Sequence, residues 1–509
     1  MKKLFKYSLA AGLILSLSSC GDEFLEVQPT QFLTQEQVQE ASANNPDVVA
    51  GSVAGIYTLM FETGTGGTGG TSGVSLAHDD FGQKGYDIYM DMLSGDLALS
   101  QSAYGWYRAD IAEFQATQDY TRQSNYKPWR YYYRIIRSAN LVIDALGGNE
   151  IVPVLDENKH LMGQAKALRA YAYFYLTQLF VESYDPSKEI LPVYTDPNQP
   201  NQPKSTTQAV FDLMIKDLTD AISLMDNFNR TQKSQINKYV AKGLLAYVYG
   251  AMDGNENAIK AKNLAFDIIN NGGFTPLMSA DDIAFNGVGD VVGGFNDVRT
   301  PSWMWGVDLT LDNGLDLVSW WGQMDAYTYS YQWAGDRKSI DKGLYDLIPA
   351  TDARKVQFWP TVAANNYYLT PRNKFYHAGR VIAGQRTIET DYVYMRAEEM
   401  YLLHAETAAR SGDEAAAKTS LKALLALRLP STAYVDGLSG QALKNEIYLQ
   451  TRIELWGEGK SYLAMKRNKA TITRGSNHLS NVGIPIPYND NRLTFEIPQS
   501  EIQNNPFIN

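Results

Sequence analysis

The stretch KHLMGQAKALRAYAYFYLTQLFVE, residues 159–182, decides the fold. Leu161, Ala165, Leu168, Ala172, Tyr175, Leu176 and Leu179 recur at the three- and four-residue steps that place side chains on one side of an α-helix, so the segment predicts an amphipathic helix with one apolar stripe. A helix with one apolar face needs a partner, and one lies just upstream. From Trp129 to Leu146, the residues Trp129, Tyr132, Ile136, Ala139, Ile143 and Leu146 share a face, and Gly147-Gly148 supplies a C-terminal stop.

The same pattern recurs downstream. Thr207 caps a predicted helix carrying Val210, Met214, Leu218, Ala221 and Met225 on one side, and a second helix spans about Asn237 to Tyr249. A third candidate pair is expected over Ala258 to Ile269, a fourth over Tyr392 to Arg410 and Asp413 to Leu427, and one long final helix over Lys444 to Lys469. The expectation is a mainly α fold: a tetratricopeptide-like stack of helix pairs, without a strict 34-residue period.

Two stretches interrupt the stack. Thr63 to Gly73, TGTGGTGGTSG, formally contains G-x-G-x-x-G at Gly64, Gly66 and Gly69, but no strand pattern precedes it and no helix opens on it, so it reads as a loop rather than a nucleotide site. The second interruption, about 272–389, is far too long for a connection and is expected to carry function.

That insertion is rich in aromatics: Trp303, Trp305, Trp320, Trp321, Tyr327, Tyr329, Tyr331 and Trp333 fall within 31 residues and include five of the chain's nine tryptophans. Tyr327, Tyr329, Tyr331 and Trp333 alternate with Thr328, Ser330 and Gln332, so an extended backbone would aim all four rings to one side. Such a comb suits the apolar faces of sugar rings. Packing against the helices and contact with a protein partner are the competing readings. Tyr104 and Trp106, with Tyr107, form a second, smaller cluster.

The N-terminus reads as an address. Lys2, Lys3 and Lys6 precede an apolar run from Ser8 to Leu17 that is too short to span a bilayer, and the run ends in Leu17-Ser18-Ser19-Cys20. Residues 1–19 are expected to be a signal peptide and Cys20, the only cysteine, to receive lipid as in bacterial lipoproteins, followed by a polar tether over 20–35 and one α-helical domain over 36–509. Lipid on Cys20 leaves no thiol for disulfides, metal or catalysis. Removing the three lysines takes Lys+Arg from 45 to 42 against 56 Asp+Glu, a balance of −14 that disfavours nucleic acid and charge-driven adhesion to anionic lipid.

No cofactor motif is present. The carboxylate pairs Asp79-Asp80 and Glu398-Glu399 invite comparison with glycosidases, which need two carboxyl groups roughly 5–9.5 Å apart across a substrate. Neighbours on a helix do not face each other, however, and neither H-E-x-x-H nor G-x-S-x-G occurs. A non-catalytic protein is expected, with a surface assembly scaffold and a carbohydrate-active hydrolase as alternatives.

Six segments in order give the chain its resemblance: CGDEFLEVQPT from Cys20, YYRIIRSANLVIDAL around Asn140, GQAKALRAYAYFYLTQLF around Arg169, DYVYMRAEEMYLLHAETAAR around Arg396, RIELWGEGKSYLAMKR around Glu458, and the terminal IPQSEIQNNP. The chain resembles the SusD/RagB family of outer-membrane nutrient-binding lipoproteins over nearly its whole length. The resemblance implies four tetratricopeptide-like helix pairs beneath a looped, ligand-facing half. It also implies capture of an oligosaccharide or polysaccharide and delivery to a SusC-like, TonB-dependent outer-membrane transporter, from a lipid anchor facing the cell exterior. Where the family usually shows E-R-R-x-E, this chain has Gln450, Thr451, Arg452 and Glu454, and Ala464 replaces a later acid. Arg396, Glu399, Arg452, Glu454 and Glu458 are expected to form partly buried ion pairs between helices rather than a ligand site.

Overall fold

The computed structural model describes residues 35–508 apart from 71, 286, 288–293 and 361–366. The expected signal peptide, Cys20 and all of the expected tether but its last residue therefore lie outside the described residues.

The helices form where the apolar stripes lie. Those of seven residues or more are, in chain order, α1 (Gln35–Asn44), α2 (Asp47–Leu59), α3 (Gln83–Leu93), α4 (Gln123–Ala145), α5 (Asp156–Phe180), α6 (Thr207–Leu224), α7 (Lys238–Ala251), α8 (Asn255–Asn271), α9 (Ala397–Arg410), α10 (Glu414–Leu425), α11 (Gly440–Glu454) and α12 (Ser461–Arg467). Side-chain caps fix several of their starts: Thr206 accepts from Ala209 N–H, Asn237 from Tyr239 and Val240 N–H, and Asp413 from Ala416 N–H. Thr206, not Thr207, is thus the cap of α6.

Consecutive helices pack on one another from α4 through α8, and α9 then packs on α8 although the whole aromatic insertion separates them in sequence. The insertion leaves the stack after α8 and returns at the same place, so α8 finds its partner across it. The main core runs from Val49 to Phe495, and a second apolar cluster, Leu402 to Leu455, fills the space among α9, α10 and α11. None of the described helices is long and apolar enough to cross a membrane.

Two antiparallel strand pairs tie the insertion down: β1 (Leu97–Leu99) with β3 (Lys338–Ile340), and β2 (Trp303–Val307) with β4 (Tyr392–Arg396). The β4 strand corrects the expectation of a helix from Tyr392. Its five residues are all buried, as are the five of β2, so neither strand has the one-sided polarity that distinguishes strand from helix in a sequence.

The final helix is also corrected, because α11 and α12 are separate. Gly457 and Gly459 between them have φ of 80° and 75°, and a Cβ on Gly459 would lie 2.6 Å from Asp87 Oδ1. The buried Lys374 ammonium accounts for the break, donating to the carbonyls of Glu454 (2.9 Å) and Trp456 (2.7 Å) where the helix ladder ends.

The expected ion pairs lie here, buried except at the partly exposed Arg452. Glu454 receives Arg396 (3.0 Å), Arg428 (2.8 Å) and Arg354 (3.2 Å), while Glu458 receives Arg396 (2.7 Å) and Lys374 (2.8 Å). Burial pushes the Glu454 carboxyl up, but Arg428, Arg396 and Arg354 together hold it well below the usual range. Arg452 pairs instead with Asp96 (2.6 Å), and Glu399 with Tyr247 (2.6 Å) and Lys460 (3.5 Å). Gln450, at the departure from the family pattern, accepts from Arg354 at 2.6 Å, so a carboxamide fills the position without an added charge.

The glycine-rich loop closes on the protein's own carboxylate. Gly66 N–H (2.7 Å) and Thr68 N–H (3.2 Å) donate to Asp80, with the Thr68 hydroxyl at 2.8 Å. A side chain occupies the position a phosphate would take in a nucleotide loop.

Candidate functional site

Most of the aromatic insertion is core. Trp303 and Trp305 sit in β2, their indole N–H groups donating to the carbonyls of Gly294 and Ser234, both at 2.8 Å. Trp320 and Trp321 form a perpendicular pair with ring centres 4.9 Å apart beneath the surface, and Trp320 also meets Phe375 edge-on at 4.6 Å. Tyr327 is buried beside Arg380. These five residues are corrected as ligand candidates, since reaching them requires opening the core.

The comb is corrected too. Ser330 caps a single helical turn, Tyr331–Ala334, by accepting from Trp333 N–H at 3.0 Å. Helical geometry sends successive rings in different directions, so Tyr331 and Trp333 do not lie side by side on one edge. Tyr331 turns inward and is 7% exposed, while Trp333 is 38% exposed and leans on Tyr329, with ring centres 5.4 Å apart. The Arg386 guanidinium lies 4.2 Å over the Tyr329 ring.

Tyr331 joins this group to the second cluster. Its ring meets Trp106 edge-on at 5.9 Å and Tyr104 at 5.4 Å, and Trp106 stacks on the His78 imidazole at 5.0 Å with the planes 4° apart. Tyr104 is 63% exposed, and Trp106 and His78 are half-buried. The structure thus brings together Tyr104, Trp106, Tyr329, Tyr331 and Trp333 and adds His78 and Arg386, which the sequence did not single out. No pattern marks His78, because its role comes from contact with residues 28 and 253 positions away.

The frame beneath the rings is polar. Asp336, buried, accepts from Tyr104 N–H (2.7 Å) and Trp106 N–H (3.1 Å), so one carboxylate holds the loop that presents both rings. The adjacent β1–β3 pairing continues into this loop through Arg337 N–H to the Gln101 carbonyl and Ala103 N–H to the Gly335 carbonyl. Gln323 donates to the His78 carbonyl (2.7 Å) and accepts from buried Lys338 (2.6 Å). Burial pushes the Lys338 ammonium down to about 7, against the pull of Asp336 and Asp79. Burial likewise holds His78 below its ordinary value despite Asp316 and Asp79, and its Nδ1 shares a hydrogen bond with the Tyr331 hydroxyl at 2.5 Å.

The geometry offers flat apolar faces edged by hydroxyl, imidazole and guanidinium groups. The carboxylates that tempted a catalytic reading are committed elsewhere. Asp79 is paired with Lys127 (2.6 Å), Asp80 holds the glycine loop, Glu398 accepts from Leu277 N–H (2.6 Å) and pairs with Arg396 (3.0 Å), and Glu399 meets Tyr247. Among the described residues no group of three or more His, Cys, Asp or Glu could hold a metal ion.

Comparison with known proteins agrees with this architecture. Residues 83–249 match the family described as "Starch-binding associating with outer membrane", and residues 360–509 match the SusD family. A SusD-like protein of Bacteroides ovatus is 26% identical over 167 residues, 30% of this chain and 29% of that protein. SusD-like protein P25 of Formosa agariphila is 25% identical over 185 residues, 36% of this chain and 30% of that protein. The chain thus spans under a third of the length of these curated relatives. Among solved structures, a SusD-like carbohydrate binding protein of Bacteroides vulgatus superposes with a TM-score of 0.70 at 22% identity, covering 94% of this chain and 98% of the other. A SusD superfamily protein of Bacteroides thetaiotaomicron gives 0.70 at 23% identity, covering 94% and 99%. With two stretches of the family matched in order and the fold shared over nearly the full length, the chain belongs to the SusD/RagB family.

Proposed function

We propose that the protein is a non-catalytic nutrient-binding lipoprotein of the outer membrane, which takes a glycan on the surface formed by Tyr104, Trp106, Tyr329 and Trp333 over the buried Tyr331 ring and passes it to a SusC-like, TonB-dependent transporter. One observation carries the reading: Tyr104 and Trp333 stand out into solvent from a loop and a helical turn whose backbones are held by Asp336 and Ser330, so the rings are free to stack on a ligand. The family description, with its starch-binding and outer-membrane terms, supports the ligand class and location. The Bacteroides vulgatus protein of the same fold, described as carbohydrate binding, supports the ligand class.

Cys20 anchors the chain through acyl chains such as palmitate, residues 20–35 act as tether, and 36–509 fold as one unit with 272–389 as its ligand-facing insertion. Import energy comes from the transporter, so the binding protein itself needs no cofactor. Affinity for a short sugar is modest, because an open surface leaves much of the ligand in water.

Calorimetry of the purified protein against a panel of polysaccharides and their oligosaccharides tests this. Heat is expected with at least one glycan, and Trp106→Ala should weaken that binding about tenfold, the scale of one lost aromatic stack of roughly 1 kcal/mol or more. No heat with any glycan, together with tight association with a barrel protein, overturns ligand capture in favour of the scaffold. Release of reducing ends overturns the non-catalytic assignment. Mass spectrometry of the native protein showing an unmodified Cys20 overturns the anchor.

A further inference from the structure

The connection from α4 to α5 carries an apolar tip. Val154 is 90% exposed and Val152 67%, the two most exposed large apolar residues among those described, and Ile151 beside them is 50% exposed. Single apolar side chains at a surface are ordinary, but three within four residues form a knob.

The knob stands on a fixed root. Asn149 is held three ways: its carbonyl accepts from Lys166 (2.8 Å), its side-chain oxygen accepts from Arg169 (2.8 Å), and its amide donates to the Thr195 carbonyl (2.9 Å). Pro153, between the two valines, is buried. The fold therefore displays these side chains, against the burial that apolar area favours.

The same place receives the start of the described chain. Gln39 in α1 donates to the Asp144 carbonyl near the end of α4 (3.0 Å), and Asn158 in the first turn of α5 donates to the carbonyls of Ser42 (2.8 Å) and Ala43 (3.4 Å). Both stems of the loop are thus clamped to α1. Gln35 lies about one helical turn before Gln39, and Cys20 lies fifteen residues before Gln35. A chain of that length reaches at most about 54 Å, so a lipid on Cys20 keeps the knob within one tether length of the bilayer.

Charge does not draw the knob to lipid. Glu150 and Asp156 flank it, paired with Lys216 (3.5 Å) and Lys159 (2.7 Å), and Glu157 follows. With no excess of positive charge to hold anionic headgroups, recognition here is apolar.

We infer that Ile151, Val152 and Val154 insert into the headgroup–acyl boundary of the membrane to which Cys20 tethers the chain, a reversible second contact that orients the domain on the lipid surface. This rests on the lipid anchor proposed above. An acyl anchor on a tether limits distance and leaves orientation open, whereas a side-chain contact at the tether's root sets which face turns outward.

The test uses the acylated chain. With Cys20 acylated no other thiol remains, so Val154→Cys supplies a unique site for an environment-sensitive fluorophore, and Leu311→Cys, in the exposed part of the insertion, serves as control. The proteins are placed on phosphatidylcholine–phosphatidylethanolamine vesicles whose acyl chains carry bromine, a contact quencher. The label at 154 is expected to be quenched about fivefold or more relative to the label at 311, and Val152→Asp in the same chain should remove the difference at an unchanged melting temperature. Equal quenching at both positions is general adsorption and overturns the inference. No quenching at 154 on vesicles that carry the protein also overturns it, and protection of that label by an added barrel protein then assigns the loop to a protein partner. Contact that strengthens when phosphatidylglycerol is added is charge-driven and overturns the apolar mode. Chains that fail to float with the vesicles overturn the anchor itself, and the inference with it.

Discussion

Replacing Asp336 by alanine should loosen the ligand surface without unfolding the protein. The carboxylate accepts two backbone N–H groups, those of Tyr104 and Trp106, at 2.7 and 3.1 Å. Hydrogen bonds to a charged acceptor contribute about 1.5–3 kcal/mol each, but both amides lie in a solvent-facing loop and regain water bonds once released, so the net loss is about 2 kcal/mol. At 1.36 kcal/mol per tenfold, that is an opening of the 102–106 loop roughly thirty times more frequent. Hydrogen exchange followed by mass spectrometry reads it directly: the Tyr104 and Trp106 amides should exchange about thirtyfold faster, with helices α4 to α8 unchanged. Glycan affinity should fall by no more than the same factor, because the ligand must then order the loop as it binds. Asp336→Asn, which keeps one acceptor oxygen, should fall between. Unchanged exchange would refute the reasoning and assign the loop to the Trp106–His78 stack, whereas faster exchange across the whole chain would show Asp336 to be a general core support.

The tryptophans of the insertion should divide by burial. Trp320→Ala and Trp321→Ala should each destabilise by about 3–5 kcal/mol in urea denaturation, because each removes a fully buried indole. Trp333→Ala should change stability by under about 1 kcal/mol while weakening glycan binding. Glu454→Gln leaves three buried arginines around a neutral group and should cost about 3–5 kcal/mol in the same assay. The pH dependence has a definite sign: burial raises the Glu458 carboxyl, but Arg396 and Lys374 bring it down from 4.5 to about 2. A depressed folded value contributes stability above the unfolded value, here about 3 kcal/mol, which should disappear as pH falls from 4.5 towards 2. A melting temperature flat across that window would contradict the assignment.

Helices were readable where one face was apolar and the other wet, as in α6, whose boundaries lie within a few residues of the expected ones, whereas the pair expected over Ala258 to Ile269 is the single helix α8. Pattern failed where both sides are buried. Tyr392 to Arg396 carries aromatic, aliphatic and charged residues, all enclosed, and the identity of that strand depends on β2, roughly ninety residues away in sequence. The break between α11 and α12 was hidden for a similar reason. Gly457 and Gly459 signal a break in the chain, but the Lys374 ammonium that receives the freed carbonyls comes from a different segment.

The aromatic residues show the same physics at the site. Density of rings in a sequence reports apolar area, and the most favourable use of apolar area is burial, about 25 cal/mol for each Å² removed from water. A large ring therefore remains at the surface only where the frame holds it there. Trp305 had an acceptor for its indole N–H inside, at the Ser234 carbonyl, and so could be enclosed completely. Tyr104 and Trp106 have the opposite arrangement. Their backbone N–H groups, not their rings, are what the buried Asp336 binds, so the same contact that orders the loop turns the Tyr104 side chain outward. Exposure at this surface follows from where an acid 230 residues away in sequence places a backbone, and that information is distributed between two segments whose separate readings give no sign of it.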